Sequence, residues 1–166
     1  MSRDDALAWI APLTDLVLRA GAAILAIDRT GQVDHKADGS PVTAADLAAD
    51  RVIAEGLAQI APDLPTLSEE RCTQGRPQAR SFFVIDPLDG TKEYVAGRDE
   101  FTVNLALISD GEPLLGIVGA PALGVVWRGL VGHGAERLTV TPDGASYTTA
   151  AIRTRPLPPP GQPWTV

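Results

Sequence analysis

From Ser81 onward the chain is cut into short apolar runs, FFVID, FTVNLALIS, LLGIVGA and LGVVWRGLVG, each bounded by Gly, Pro or Asp. Runs of this length and punctuation are strands. Asp110-Gly111 and Pro142-Asp143-Gly144 are turn signals between and after them, so part of the sheet is expected to be an antiparallel meander.

The residues before Ser81 follow a different period. Leu7, Ile10, Leu13, Leu16, Val17, Ala20, Ala23, Ile24 and Ile27 recur at helical spacing, with Asp15 and Arg19 off the stripe, and Gly31 is the expected stop. A polar segment, 32–40, reads as a connection or a short strand pair. Thr43 and Asp46 have the spacing of a capping box at the head of a second helix, which carries Val52, Ile53, Leu57 and Ile60 on one face and is closed by Pro62 and Pro65. The expected class is therefore α+β, two N-terminal helices packed on a mostly antiparallel sheet. Residues 1–154 form the expected domain, and residues 155–166, with five prolines, read as a proline-rich linker or truncated tail that ends in Trp164-Thr165-Val166.

A formal charge of −7 excludes a broad basic surface for a nucleic acid polymer. The single cysteine, Cys72, excludes an internal disulfide and a multi-cysteine zinc site. Arg3, Asp4, Asp5, Asp15 and Arg19 interrupt the apolar N-terminus, so neither a basic-headed signal peptide nor a clean transmembrane segment is expected. His35 and His133 lack the spacing of metal ligands and receive no role.

The chemistry concentrates in FFVIDPLDGTKEY, residues 82–94. A buried strand delivers Asp86, a proline turn sets Asp89 three residues later, and Gly90-Thr91 open a short helix. Carboxylates brought together at a strand end repel one another unless a cation lies between them, and hard oxygen ligands suit Mg²⁺. Taken alone, Asp89-Gly90 also fits a plain turn. Neither this segment nor residues 34–40 has the alternate ligand positions of an EF-hand, and no P-loop string occurs.

The ordered set KADGSPVTAAD (36–46), LSEE (67–70), DPLDGTKEY (86–94) and EFTVNLALI (100–108) resembles the inositol monophosphatase superfamily. Within it, SEE and DGTKEY are most similar to the 3'(2'),5'-bisphosphate nucleotidases of the CysQ type. The resemblance implies two or more Mg²⁺ ions, one held by Glu69, Asp86 and the backbone carbonyl of Leu88, another to which Asp86 and Asp89 contribute. It implies that Glu69 and Thr91, with Asp46 close to the metals, activate and orient a water, and that Gly90, Thr91 and Lys36 face the substrate phosphate. Glu70 would support the metal ligands from behind.

The implied activity is Mg²⁺-dependent hydrolysis of the 3'-phosphate of adenosine 3',5'-bisphosphate to AMP and phosphate, a step tied to sulfur assimilation. The alternatives are an inositol monophosphatase or a catalytically incomplete metal- and phosphate-binding fragment. A cytoplasmic enzyme is implied, with peripheral attachment to the inner membrane as an option and a homodimer as one arrangement of the full-length protein. The family's later W-D-x-A-A-G-like element, whose aspartate serves the second metal, does not occur in these 166 residues. A chain lacking it is expected to bind Mg²⁺ weakly and to turn over little substrate.

Overall fold

The structure is a computed structural model that describes all residues except 1, 2, 30, 32, 36–38, 40, 72–76, 143, 145, 157 and 160–166. Lys36, Cys72 and Trp164 therefore lie outside the described residues. The elements are helix α1 (Arg3–Leu25), strands β1 (Val33–His35) and β2 (Pro41–Thr43), helix α2 (Ala44–Ile60), strand β3 (Thr66–Ser68), a 3₁₀ turn (Glu69–Arg71), strand β4 (Ser81–Asp89) and the short helix α3 (Thr91–Val95). Then come β5 (Thr102–Ser109), β6 (Glu112–Ala120), β7 (Val125–Leu130), β8 (Gly134–Val140) and β9 (Tyr147–Ile152). Strands β3 to β9 lie side by side in chain order in one seven-stranded sheet, antiparallel throughout except for the parallel β3–β4 pair, while β1 and β2 form a separate hairpin. The expected α+β class, two helices on a mostly antiparallel sheet, is what is found.

The period-2 pattern decides which face the helices cover. Phe83, Ile85, Val103, Leu105, Leu107, Leu115, Ile117, Val126 and Leu138 stand on one face and join Leu13, Leu16, Val17, Ala20 and Ile24 of α1 and Ala49, Ile53 and Leu57 of α2 in a single buried core. The stretch Asp5–Leu25 is long and apolar enough by composition to cross a membrane, with mean hydropathy 1.4, but its apolar stripe is the one packed into this core. Its outward side carries the Asp15–Arg19 pair, 3.2 Å apart.

Helix α1 approaches the sheet closely at Gly119, where an added Cβ would stand 2.6 Å from Val17 Cγ1. Valine in a helix has essentially one side-chain rotamer, so the clash is relieved only by moving the helix. Gly119→Ala is expected to destabilise the chain by about 1–3 kcal/mol, read from the urea midpoint at unchanged slope.

The end of α1 corrects the expectation drawn from Gly31. The helix stops at Leu25, and Tyr94 donates its hydroxyl proton toward Ile24 O in the last turn and Ile27 O just beyond it, at 3.4 and 3.2 Å. Arg29 then stacks on the rings of Tyr94 and Phe101 and donates to Arg98 O and Asp99 Oδ1, at 3.1 and 3.0 Å. These contacts hold the chain beyond the helix against α3. The second helix starts as its capping box requires and ends before Pro62, and β1 in the polar connection pairs with β2, which begins just after it.

Candidate active site

The site residues gather at the C-terminal end of β4. Strand β3 pairs with β4 in parallel, Thr66 opposite Phe83, Leu67 opposite Val84 and Ser68 opposite Ile85. Continuing that register by one residue sets Glu69 beside Asp86, although 17 positions separate them in the chain. Side chains alternate across a sheet, so Ser68 faces the helix layer with Ile85 while Asp86 faces the other side, where a hydrogen bond joins it to Glu69 of the 3₁₀ turn.

Beyond Asp86 the β4–β5 pairing is interrupted. Asp86 is opposite Asn104 and Asp89 opposite Thr102, with Pro87 and Leu88 bulged between them. The bulge re-aims Asp89, whose Oδ2 accepts from Asn104 Nδ2 at 3.2 Å. Gly90 follows with φ of +95°, and a Cβ there would meet Glu100 O at 2.8 Å, so only glycine makes this corner without strain.

Asp86 is the most perturbed group of the site. Burial pushes its carboxyl up to about 7, the negative charge of Glu69, a hydrogen bond with Glu69 and the charge of Asp89 push the same way, and the backbone of Leu88 pulls it partly back. Its Oδ1 is buried without a hydrogen-bond partner. A buried carboxylate oxygen left unpaired beside two further carboxylates is costly unless a cation joins them, which is the donor set a hard divalent ion takes. Among the described residues no three His, Cys, Asp or Glu side chains stand together as a ready cage, so an ion here would draw on backbone carbonyl and water ligands as well. Glu69, Asp86, Asp89 and the Leu88 carbonyl would be the oxygen donors that this corner offers to such an ion.

Asp46 joins α2 to the same corner. It is fully buried, and its Oδ2 accepts from Thr43 N–H at 2.8 Å and from the Thr43 hydroxyl at 2.6 Å, while Ala45 N–H donates to Thr43 Oγ1 at 3.1 Å, completing the capping box. Its other oxygen, Oδ1, lies 3.0 Å from the Thr91 hydroxyl, which is also 3.2 Å from Leu88 O. Asp46 therefore acts as helix cap and as partner of Thr91 at once. Of the residues expected from sequence, Glu69, Asp86, Leu88, Asp89, Gly90, Thr91 and Asp46 converge here, and Lys36 falls outside the described residues.

Sequence reasoning missed Asp50, Ser68, Arg71 and Asn104. Asp50 is 7% exposed on α2, accepts the Ser68 hydroxyl proton on Oδ1 at 2.6 Å and pairs with Arg71 Nε through Oδ2 at 2.8 Å. A signal for it existed: Asp50 lies on the same helical stripe as Ala49, Ile53 and Leu57, and a carboxylate on a buried stripe needs a partner.

A helix pair on a mostly antiparallel sheet, with carboxylates and a glycine corner at one strand end, is the arrangement of the inositol monophosphatase-like fold. Residues 8–154 match the inositol monophosphatase family, and the chain belongs to that family. It is 48% identical over 122 residues to the 3'(2'),5'-bisphosphate nucleotidase CysQ of Shigella flexneri, covering 70% of this chain and 50% of that protein. The Escherichia coli K12 protein of the same name is 47% identical over the same length. Among solved structures, CysQ from Bacteroides thetaiotaomicron aligns at 31% identity and TM-score 0.58, over 78% of this chain and 48% of that one. Inositol monophosphatase from Anabaena aligns at 30% identity and TM-score 0.68, over 80% and 47%. The chain spans about half the length of the curated relatives it matches.

Proposed function

We propose that this chain supplies the cation-binding side of a Mg²⁺-dependent phosphomonoesterase that removes the 3'-phosphate of adenosine 3',5'-bisphosphate to leave AMP. The observation that carries the reading is the orphaned, buried Oδ1 of Asp86 beside Glu69 and Asp89. The substrate is supported by the 47–48% identity to proteins named bisphosphate nucleotidases.

In this reading Glu69, Asp86 and the Leu88 carbonyl hold one Mg²⁺, and Asp86 and Asp89 contribute to a second. Bound Mg²⁺ would offset the phosphate charge and make water a stronger nucleophile at neutral pH. The residues supply direction. With its proton given to Asp46 Oδ1, the Thr91 hydroxyl presents its lone pairs as acceptors, so it takes one hydrogen of the attacking water while Glu69 takes the other. Asp89 is held in orientation by Asn104, and Gly90, whose backbone packs against Glu100 O, makes the corner that sets Thr91 beside these residues on the side of the substrate phosphate.

Cation binding should be linked to protons. Below pH 7 the metal-free Asp86 carboxyl is mostly protonated, so Mg²⁺ has to displace that proton. The apparent affinity is expected to tighten by up to roughly tenfold per pH unit toward neutrality and to level off above it. Calorimetry at pH 6 in two buffers of different ionisation enthalpy reads the released proton directly.

The second reading, an inositol phosphate as substrate, is favoured by the higher TM-score to the Anabaena inositol monophosphatase. Phosphate release from adenosine 3',5'-bisphosphate and from inositol 1-phosphate, with Mg²⁺ and with EDTA, separates the two. The chain is assayed beside a fusion to the second half of the Escherichia coli relative. Mg²⁺-dependent release with the nucleotide preferred is expected of the fusion, and Thr91→Ala is expected to lower kcat by about 100-fold while changing Mg²⁺ affinity less than about threefold. Release from neither substrate by the fusion, or release indifferent to EDTA, would sink the proposal.

A further inference from the structure

Asp50 lies outside the group of residues just assigned to the reaction, yet it touches the segment that carries Glu69 on both sides. Ser68 is the last residue of β3 and Arg71 the last of the 3₁₀ turn, and one carboxylate binds both, Oδ1 to the Ser68 hydroxyl and Oδ2 to Arg71 Nε. Only Glu69 and Glu70 lie between the two anchored positions. Strand β3 is three residues long, sits at the edge of the sheet and pairs only with β4. So short an edge strand is a weak support for a side chain that must be held to a fraction of an ångström. The rigid body next to it is α2, which is buried along the stripe that carries Asp50.

We propose that Asp50 is a positioning residue: by clamping Ser68 and Arg71 it holds Glu69 against Asp86 and thereby sets the affinity of that pair for a divalent cation. The proposal rests on the reading of Glu69 and Asp86 as cation ligands. The end of the strand makes the device work, because the Ser68 side chain is held by α2 and the next residue, Glu69, opens the 3₁₀ turn and meets Asp86. Arg71 also balances the charge of Asp50, so the clamp adds no net charge behind the ligands.

Arg71→Gln separates positioning from plain electrostatics. It removes a cation from the neighbourhood of carboxylates, which by Coulomb attraction alone would tighten Mg²⁺ binding. Loss of the clamp acts in the opposite direction. Calorimetric titration of the chain with Mg²⁺ is expected to show binding weakened by about 10-fold in Arg71→Gln and in Ser68→Ala, with normal far-UV circular dichroism, Arg71 being half-exposed and tolerant of replacement. In the metal-free chain, amide hydrogen exchange at Glu69 and Glu70 should quicken in both variants while the amides of β5 and β6 keep their protection.

Unchanged or tighter Mg²⁺ binding in Arg71→Gln overturns the proposal. If Ser68→Ala leaves the Kd within twofold, the proposal falls as well. Asp86→Asn in the same titration separates the levels of failure. Mg²⁺ affinity lost with Asp86→Asn but kept with Arg71→Gln removes the role of Asp50 alone, whereas affinity indifferent to Asp86→Asn removes the cation reading and this proposal together.

Discussion

Asp86→Asn is expected to weaken Mg²⁺ binding by at least about 100-fold and, in the metal-free chain, to abolish a loss of stability that accompanies rising pH. The two effects have one cause. In the folded chain Asp86 is half-buried next to Glu69 and Asp89, with Oδ1 buried and unpaired, and its carboxyl is pushed from 3.8 up to about 7. An acid whose folded pKa lies above its unfolded value keeps its proton longer when folded. Between about pH 4 and pH 7 the native state therefore binds more protons than the unfolded chain, and stability falls as pH rises through that window. Asparagine carries no titrating proton and no charge, so the variant lacks this slope and also lacks the anionic oxygen that a cation needs. Urea denaturation in EDTA at pH 5 and pH 8 reads the first effect and Mg²⁺ calorimetry the second. A variant with wild-type Mg²⁺ affinity would show that DPLDGT is only a turn here.

Asp46→Ala is expected to destabilise the chain by about 3 kcal/mol. Its carboxylate accepts from three donors, the Thr43 amide, the Thr43 hydroxyl and the Thr91 hydroxyl, in a site closed to solvent. Loss of half a capping box costs about 1 kcal/mol, and leaving buried donors unsatisfied adds about 1–3 kcal/mol. The affected helix, α2, also carries Ala49, Ile53 and Leu57 into the core, so the damage is not confined to its first turn. A fall in the urea midpoint at constant slope measures it. A change below about 1 kcal/mol would mean that water replaces the carboxylate, and that the Asp46–Thr91 contact does not hold α3 to α2.

Both variants act where long-range contacts meet, and that is where sequence reasoning thins out. The capping box was legible because both of its residues are neighbours, Thr43 and Asp46, and the helix it starts has a period that can be counted. The second role of Asp46, its contact with Thr91 45 residues away, has no local trace. Strand β3 escaped for a similar reason: three residues are too few to show alternation, and parallel pairing leaves no turn in the sequence. Strands β8 and β9 extend the meander past the four apolar runs because Tyr147–Ile152 is an exposed edge with no apolar face to read.

What the amino-acid order by itself determined is therefore local: two amphipathic helices, the cap of the second, a succession of hairpin strands, and a DPLDGT element that sets Asp86 at a strand end and Gly90 at a corner only glycine makes. Each of these follows from side-chain period, backbone sterics or a turn dipeptide, all of which act over a few residues. The tertiary structure alone decided that Glu69 stands beside Asp86, that Tyr94 meets Ile24, Ile27 and Arg29 at the end of α1, and that Asp50 reaches Ser68 and Arg71. Those outcomes depend on the register of a parallel strand pair and on which faces of α2 and α3 meet. Register and docking are set by the packing of the whole core, so no window of the sequence contains them.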